Sequence, residues 1–293
     1  MSLSRTISLA LIACGRKIVK NTALEKSAIV LAIYKSVFRL GFKPTAGDQS
    51  FKLRGETFVI SGQDTSMLPG LLNQTYEKHE LDFYLSRVRE GDIIFDVGAN
   101  VGLYARLGAK KVGPTGRVHA FEPSPLTLKF LKMNCADLSN LTIVEKAISD
   151  HPGETTLYVE TSDLGCSSLL AKTQEGVRVT VTTVDEYLST LPLQRVDFIK
   201  MDIEGFEQEA LRGMKRALQL KPTVLMEFNP SFLRQHGRDP EAFLKEIHSV
   251  FPSVRYIHES TGELLPLKEC ADLGHQIIAN LVLETTGEKP ASK

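Results

Sequence analysis

The run Phe95-Asp96-Val97-Gly98-Ala99-Asn100-Val101-Gly102, with Val118-His119-Ala120-Phe121-Glu122-Pro123 one helix length further on, constrains the fold of this chain more than any other stretch. It reads as a strand, a glycine turn, a helix and a second strand that ends on a carboxylate. An open α/β sheet builds a nucleoside site in this way: glycines let the backbone approach the ligand, and the acid at the second strand tip takes the ribose hydroxyls. The two runs leave open which nucleoside is bound.

The surrounding sequence repeats the alternation. Ile93 to Val97 is a continuous apolar run, as a parallel strand covered on both faces requires. The spacing predicts a helix from Leu103 to Lys111 and a strand from Arg117 to Phe121. A second helix opens with Ser124 as N-cap and Pro125 at the first helical position, and a third strand runs from Leu141 to Ala147. Val196 to Met201, Val224 to Phe228, Val254 to His258 and Ile277 to Leu283 supply four more strands. Phe206, Ala210, Met214 and Ala217 mark a helix that Pro222 ends, and Pro240 to Val250 marks another. The expected fold is therefore α/β, a doubly wound, mostly parallel, seven-stranded sheet. Ahead of it, Phe51 to Ile60 reads as two short strands around Arg54-Gly55, and Tyr76 to Arg89 as a helix closed by Gly91 at C′. Residues 150 to 182 break the alternation. Thr155 to Val159 and Val177 to Val181 are β-rich runs flanking Asp163-Leu164-Gly165-Cys166-Ser167-Ser168, which reads either as a substrate lid or as a decorated hairpin.

Thirty-five Lys and Arg balance thirty-five Asp and Glu over the 293 residues, but unevenly. Residues 1–50 hold eight basic side chains (Arg5, Arg16, Lys17, Lys20, Lys26, Lys35, Arg39, Lys43) against Glu25 and Asp48, so the remainder is acidic by six. Leu3, Ile7, Leu11, Cys14 and Ile18 recur at helical spacing, as do Ile29, Ile33, Val37 and Leu40. Residues 1–50 thus read as a basic amphipathic helical appendage to a main domain over 51–284, with 285–293 a polar tail. The appendage is either a cap on that domain or, through residues 1–43, a peripheral membrane contact. Its longest apolar run, Ser27 to Phe38, is interrupted by Lys35 and too short to span a bilayer, and Met1 to Leu11 gives no clean cleaved signal. Cys14, Cys135, Cys166 and Cys270 have neither zinc nor disulfide-framework spacing, which fits a cytoplasmic protein, and the acidic body argues against nucleic acid as a partner. Nothing in the sequence sets the oligomeric state.

Four acids stand at expected strand tips: Asp96, Glu122, Asp202 and Glu227. That many carboxylates at close range repel a pyrophosphate. Asn100 also stands where the dinucleotide turn G-x-G-x-x-G has its second glycine. S-adenosylmethionine has an amine, a sulfonium, a ribose and an adenine but no phosphate, so it suits such an edge, with Asp96 placed to hold the amine.

With Tyr76-Glu77, Gly91-Asp92, Gly116-Arg117-Val118, Ala147, Thr183-Val184-Asp185 and Lys200-Met201-Asp202-Ile203-Glu204-Gly205, these runs resemble the FkbM family of S-adenosylmethionine-dependent methyltransferases, class I fold, over about residues 51 to 230. The resemblance implies a Rossmann-like sheet and S-adenosyl-L-methionine as cofactor. It implies that Asp96, Gly98, Asn100 and Gly102 line the methionine end of the cofactor and that Tyr76 and Glu77 close over it. Glu122 would take both ribose hydroxyls, and Ala147 would lie against the adenine. Lys200, Asp202 and Glu204 would surround the transfer point, with Glu227 on the same edge after the fifth strand. The implied acceptor is a small-molecule or glycan hydroxyl, on a sugar or secondary metabolite.

Methyl transfer needs an in-line approach, so positioning dominates, and a base is required only for a hydroxyl acceptor. Asp202 or Glu204 suits that role, with Lys200 on the same strand face to pair with Asp202. His236 is a further candidate base. Asp202, Glu227 and Asn229 form an oxygen-rich set of the kind a divalent cation accepts, the less favoured alternative to a site without metal. Two other classes compete. A nicotinamide oxidoreductase shares the fold and the ribose acid, but this chain has neither the G-x-G-x-x-G turn nor a Tyr-x-x-x-Lys or comparable hydride-site signature. A non-catalytic nucleoside-binding protein would keep Glu122 without the Lys200, Asp202 and Glu204 edge.

Overall fold

The computed structural model describes residues 47–64, 66–158 and 176–285. The helices expected within residues 1–43, the stretch Asp163 to Ser168 and the tail beyond Thr285 lie outside the described residues. Strands β1 (Asp48–Leu53) and β2 (Glu56–Ser61) form an antiparallel hairpin turned at Arg54-Gly55. Helices α1 (Met67–Leu72) and α2 (Lys78–Arg87) follow. Next come β3 (Ile93–Val97), α3 (Leu103–Val112), β4 (Arg117–Phe121), α4 (Pro125–Cys135) and β5 (Leu141–Val144). A separate three-stranded sheet holds β6 (Ala147–Ile148), β7 (Gly153–Tyr158) and β8 (Gly176–Thr182), and α5 (Val184–Ser189) leaves it. The chain then returns through β9 (Phe198–Met201), α6 (Glu207–Arg212), α7 (Lys215–Gln219), β10 (Thr223–Phe228), α8 (Pro230–Gln235) and α9 (Pro240–Val250). It finishes with β11 (Ser253–Ile257), β12 (Leu264–Pro266) and β13 (Ala279–Glu284).

The central sheet has eight strands in the order β12-β11-β13-β10-β9-β3-β4-β5. The seven expected strands are all present, and β12 adds an eighth at the edge. β5, β4, β3, β9 and β10 pair in parallel, while β13 enters antiparallel between β10 and β11. This is a Rossmann-like, doubly wound arrangement. The winding reverses between β3 and β9, where an open α/β sheet leaves a crevice beyond its carboxyl ends.

Side chains alternate between the faces with period two. Ile94, Val118, Ala120, Phe198 and Leu225 pack on one face beneath Leu81 and Tyr84 of α2, Leu107 of α3 and Leu131 of α4. Phe95, Val97, Ile199, Met201 and Met226 pack on the other, against Val184, Ala210, Met214 and Ile247. Burying each such side chain contributes roughly 1.5–3 kcal/mol, so the strand tips are carried on a rigid floor. Among the described residues no helix is long and apolar enough to cross a membrane.

Three local expectations are corrected. Helix α2 ends at Val88 in extended backbone, so Gly91 is not its C′ residue; with φ +80° it turns the chain into β3, and its N–H donates to Val112 O at 2.8 Å. The strand expected through Ala147 leaves the central sheet after Val144, where the Lys146 N–H turns back to the Val144 carbonyl at 2.8 Å, and Ala147 pairs instead with Val181. The helix expected from Phe206 to Ala217 breaks at Gly213-Met214. A Cβ on Gly213 would stand 2.1 Å from Ser149 O, and the Asp185 carboxylate accepts the Arg216 and Ala217 N–H groups at 2.8 and 2.9 Å, which starts α7 afresh. Thr183 likewise caps α5, accepting from the Glu186 N–H at 2.9 Å. The Thr183-Val184-Asp185 motif is thus scaffolding.

Candidate active site

Strand register alone sets a polar row across the carboxyl edge of the sheet. Val97 lies opposite Phe121 and Met201, Met226 opposite Met201, and Glu227 opposite Asn280. One residue further on, Glu122, Gly98, Asp202 and Glu227 stand side by side and continue to Asn280. All five line a cavity of about 880 Å³, together with Tyr76, Glu77, Asn100, Ala147, Lys200 and Glu204.

Glu122 is only 6% exposed. Its Oε2 accepts the Asn100 N–H and its Oε1 the Ser124 N–H, each at 2.8 Å. Burial raises its pKa, and these two donors with the Thr127 hydroxyl pull against that rise. The Thr127 hydroxyl gives its proton to Ser124 O at 3.1 Å, so of the carboxylate's roughly four lone-pair sites the two N–H donors take one on each oxygen, and each oxygen keeps capacity for a hydroxyl. Ser124 begins α4 as expected but makes no side-chain cap; its backbone serves Glu122 instead. Asn100 has φ +50°, a left-handed conformation that Asn tolerates better than most residues, and this presents its N–H to Glu122. Asn134 braces the turn from behind: its amide donates to Val101 O at 2.7 Å and to Val59 O at 2.9 Å.

Two residues expected at the methionine end stand behind the wall. Asp96 lies one row in from the edge, opposite Ala120 and Lys200, and is 1% exposed. The Ala105 N–H of α3 favours its charged form, though neither oxygen meets a donor in strict hydrogen-bonding geometry. Burial pushes its pKa up to about 7; the Lys200 ammonium opposes the rise, while Asp202 and Glu122 add to it. Gly102 is the N-cap of α3, with φ +91°, and a Cβ there would stand 2.7 Å from Leu131 Cδ1. It serves the packing of α3 on α4.

Lys200 is buried beneath the cavity floor with its Nζ 3.1 Å from Asp202 Oδ2. Burial works against its charge, but Asp202, Glu77, Asp96 and Glu227 together outweigh that penalty and hold its pKa above the usual lysine range. Tyr104, which belongs to none of the motifs, covers this ammonium: Nζ lies 5.0 Å from the ring centroid. The Tyr104 hydroxyl donates to Glu77 Oε2 at 2.7 Å. Its only trace in the sequence is a position in the first turn of the helix that follows the glycines. Glu77 sits in left-handed backbone just before α2, and its pKa is raised, by burial first, with Lys200 opposing.

Asp202, Glu204 and Glu227 each offer an oxygen, and these oxygens lie within 4.8 Å of one another. Burial, then Asp202 and Glu204, push the Glu227 pKa well up. Asn229 does not join them, because its Oδ1 caps α8 by accepting the Phe232 N–H at 3.0 Å. His236 is turned to Phe232 O at 2.9 Å and does not line the cavity. The loop carrying Asp202 and Glu204 is shaped by Glu207, another acid outside the motif. The Glu207 carboxylate accepts the Ile203 N–H at 2.9 Å and the Gly205 N–H at 3.0 Å. Beyond Asp202 the cavity continues past His79, Glu80, His275, Ile277 and Ile278, with Ile277 60% exposed. A second molecule has room there.

A family model described as the methyltransferase FkbM domain matches residues 96–265. Hexuronic acid methyltransferase AglP of Haloferax volcanii is 28% identical over 171 residues, covering 58% of this chain and 66% of that protein. 31-O-demethyl-FK506 methyltransferase FkbM of Streptomyces tacrolimicus is 26% identical over 162 residues, 44% of this chain and 62% of that one. 2-O-methyltransferase NoeI of Sinorhizobium fredii is 25% identical over 182 residues, 56% and 73% respectively. The chain spans less than two thirds of the first two relatives.

Proposed function

The chain belongs to the FkbM methyltransferase family, and from that premise we propose that it transfers a methyl group from S-adenosyl-L-methionine to a hydroxyl of a sugar, glycan or secondary metabolite. The observation that carries this reading is Glu122, a carboxylate fixed by two backbone donors at the tip of the strand next to the glycine turn, with capacity left on each oxygen for a diol. The acids of the same row disfavour a phosphate ligand. Two of the relatives are named for methylation at oxygen, which supports a hydroxyl acceptor.

The residues present fit the cofactor. Glu122 would hold the ribose diol and Ala147, with Ile148 and Leu157 in the same wall, the adenine. When bound, the cofactor supplies an electrophilic methyl on sulfur. The chain's part is to align the acceptor oxygen with it and to take the hydroxyl proton as the carbon–oxygen bond forms and the carbon–sulfur bond breaks. Asp202 is the proposed acceptor of that proton, and Lys200, 3.1 Å away, holds its carboxylate in place. Glu204 and Glu227 flank it and shape the acceptor side. Titration calorimetry tests the assignment: S-adenosylmethionine or its demethylated product binds, whereas tight NADH binding without response to either overturns it.

A further inference from the structure

Tyr104 has a place in the site that no motif assigns. It is 7% exposed, and its ring packs edge-to-face on Tyr84 at 5.1 Å, while the Tyr84 hydroxyl donates to Tyr104 O at 3.1 Å. The ring is therefore held from behind. On the cavity side it meets two charged groups: its hydroxyl donates to Glu77 Oε2 at 2.7 Å, and its face lies 5.0 Å from Lys200 Nζ, within cation–π range. Glu77 has φ +43° at the N-cap of the helix it precedes, and its side chain makes no capping hydrogen bond to that helix. The acid of the glycine motif, Asp96, is walled off. A carboxylate that accepts the Tyr104 hydroxyl, with the Tyr76 hydroxyl also bonded to it, still keeps lone pairs for a cation, since it has about four.

We propose that Tyr104 is a positioning residue that fixes Glu77 as the receptor for a primary ammonium, the α-amine of the cofactor's methionine end. The proposal rests on the cavity being an S-adenosylmethionine site. In this arrangement the two cations of the region have separate carboxylates: Lys200 sits on Asp202 under the Tyr104 ring, and the incoming ammonium donates to the Glu77 carboxylate that the Tyr104 hydroxyl holds.

Three ligands separate this role from a merely structural one. S-adenosylmethionine and S-adenosylhomocysteine carry the α-amine; 5′-methylthioadenosine keeps the nucleoside and lacks the amino-acid end. In calorimetric titration, Tyr104→Phe should weaken the first two about tenfold, the loss of one charge-assisted hydrogen bond, and leave the third within about twofold. Equal losses on all three, or none, overturn the proposal. Glu77→Gln provides an independent arm and should show the same selectivity. Adding Tyr104→Phe to Glu77→Gln should then cost nothing further, and additive losses would overturn the coupling. Wild-type protein that binds none of the three refutes the cofactor reading itself, a different result from either.

Discussion

The backbone oxygen of Asp202 occupies the space that a side chain on Gly98 would need, for a Cβ there would stand 1.8 Å from it. The first glycine of the turn therefore does more than open a path for a ligand. It lets the tips of β3 and β9 touch, which brings the nucleoside half and the transfer half of the site together. Its φ of +83° adds a second demand that only glycine meets without strain. Gly98→Ala should lose about 2 kcal/mol or more of stability together with cofactor binding. Thermal melts and titrations that match wild type would show that the contact is not needed.

Glu122 accepts a backbone N–H on each oxygen. A glutamine amide offers one acceptor and one donor, so Glu122→Gln sets an N–H against an N–H at Asn100 or at Ser124. The isosteric change should therefore weaken S-adenosylmethionine and methylthioadenosine alike by about tenfold or more, since an unsatisfied buried donor costs about 1–3 kcal/mol. A loss confined to the amine-bearing ligand would move the ribose contact elsewhere.

For the proton acceptor, Asp202→Asn should keep cofactor affinity within about threefold while removing turnover, because general-base catalysis typically contributes 10²–10⁴-fold. Lys200 then faces an amide in place of its 3.1 Å partner but stays among Glu77, Asp96 and Glu227. Unchanged turnover in a labelled-cofactor assay would pass the role to Glu204.

The strands, their order of appearance and the glycine turn were legible in the sequence, because continuous apolar runs and turn residues encode them locally. What the sequence did not reveal arises between elements distant in the chain. Tyr104 matters through Glu77 and Lys200, which reach it from the residue before α2 and from β9. Asn229 carries the residue type of a metal ligand, yet the start of α8 takes its oxygen. Asp96 has a motif position that implies a ligand contact, but its place in the β3 pleat puts it one row behind the wall. A one-dimensional spacing gives a residue's neighbourhood; register and pleat decide whether it reaches the ligand.

Asp96 and Glu207 both have pKa values pushed up to about 7, chiefly by burial. The native state thus holds these protons at a pH where the unfolded chain, titrating near 3.8 and 4.5, has released them. The stabilisation is complete below the unfolded values and is lost as pH rises through about 7. Asp96→Asn replaces a titrating group by a neutral one, so the variant's melting temperature should climb relative to wild type between about pH 5 and about pH 8. Parallel curves over that range would mean that Asp96 does not titrate there.

The Asp202, Glu204 and Glu227 oxygens, within 4.8 Å of one another, raise the question of a divalent cation. A hard cation wants six or more oxygen ligands, and the fourth side chain that the sequence offered, Asn229, is turned to its helix. Asp202 already has a cation in Lys200, whose charge is reinforced by Asp202, Glu77, Asp96 and Glu227. A divalent ion bound at Asp202 would stand close to that ammonium and be repelled by it. Turnover in the labelled-cofactor assay should therefore survive dialysis against EDTA within about twofold, and Lys200→Met, which removes the competing charge, should create magnesium dependence where wild type has none. If chelation abolishes wild-type turnover and magnesium restores it, the three carboxylates form a metal site, and Lys200 acts as its neighbour rather than its substitute.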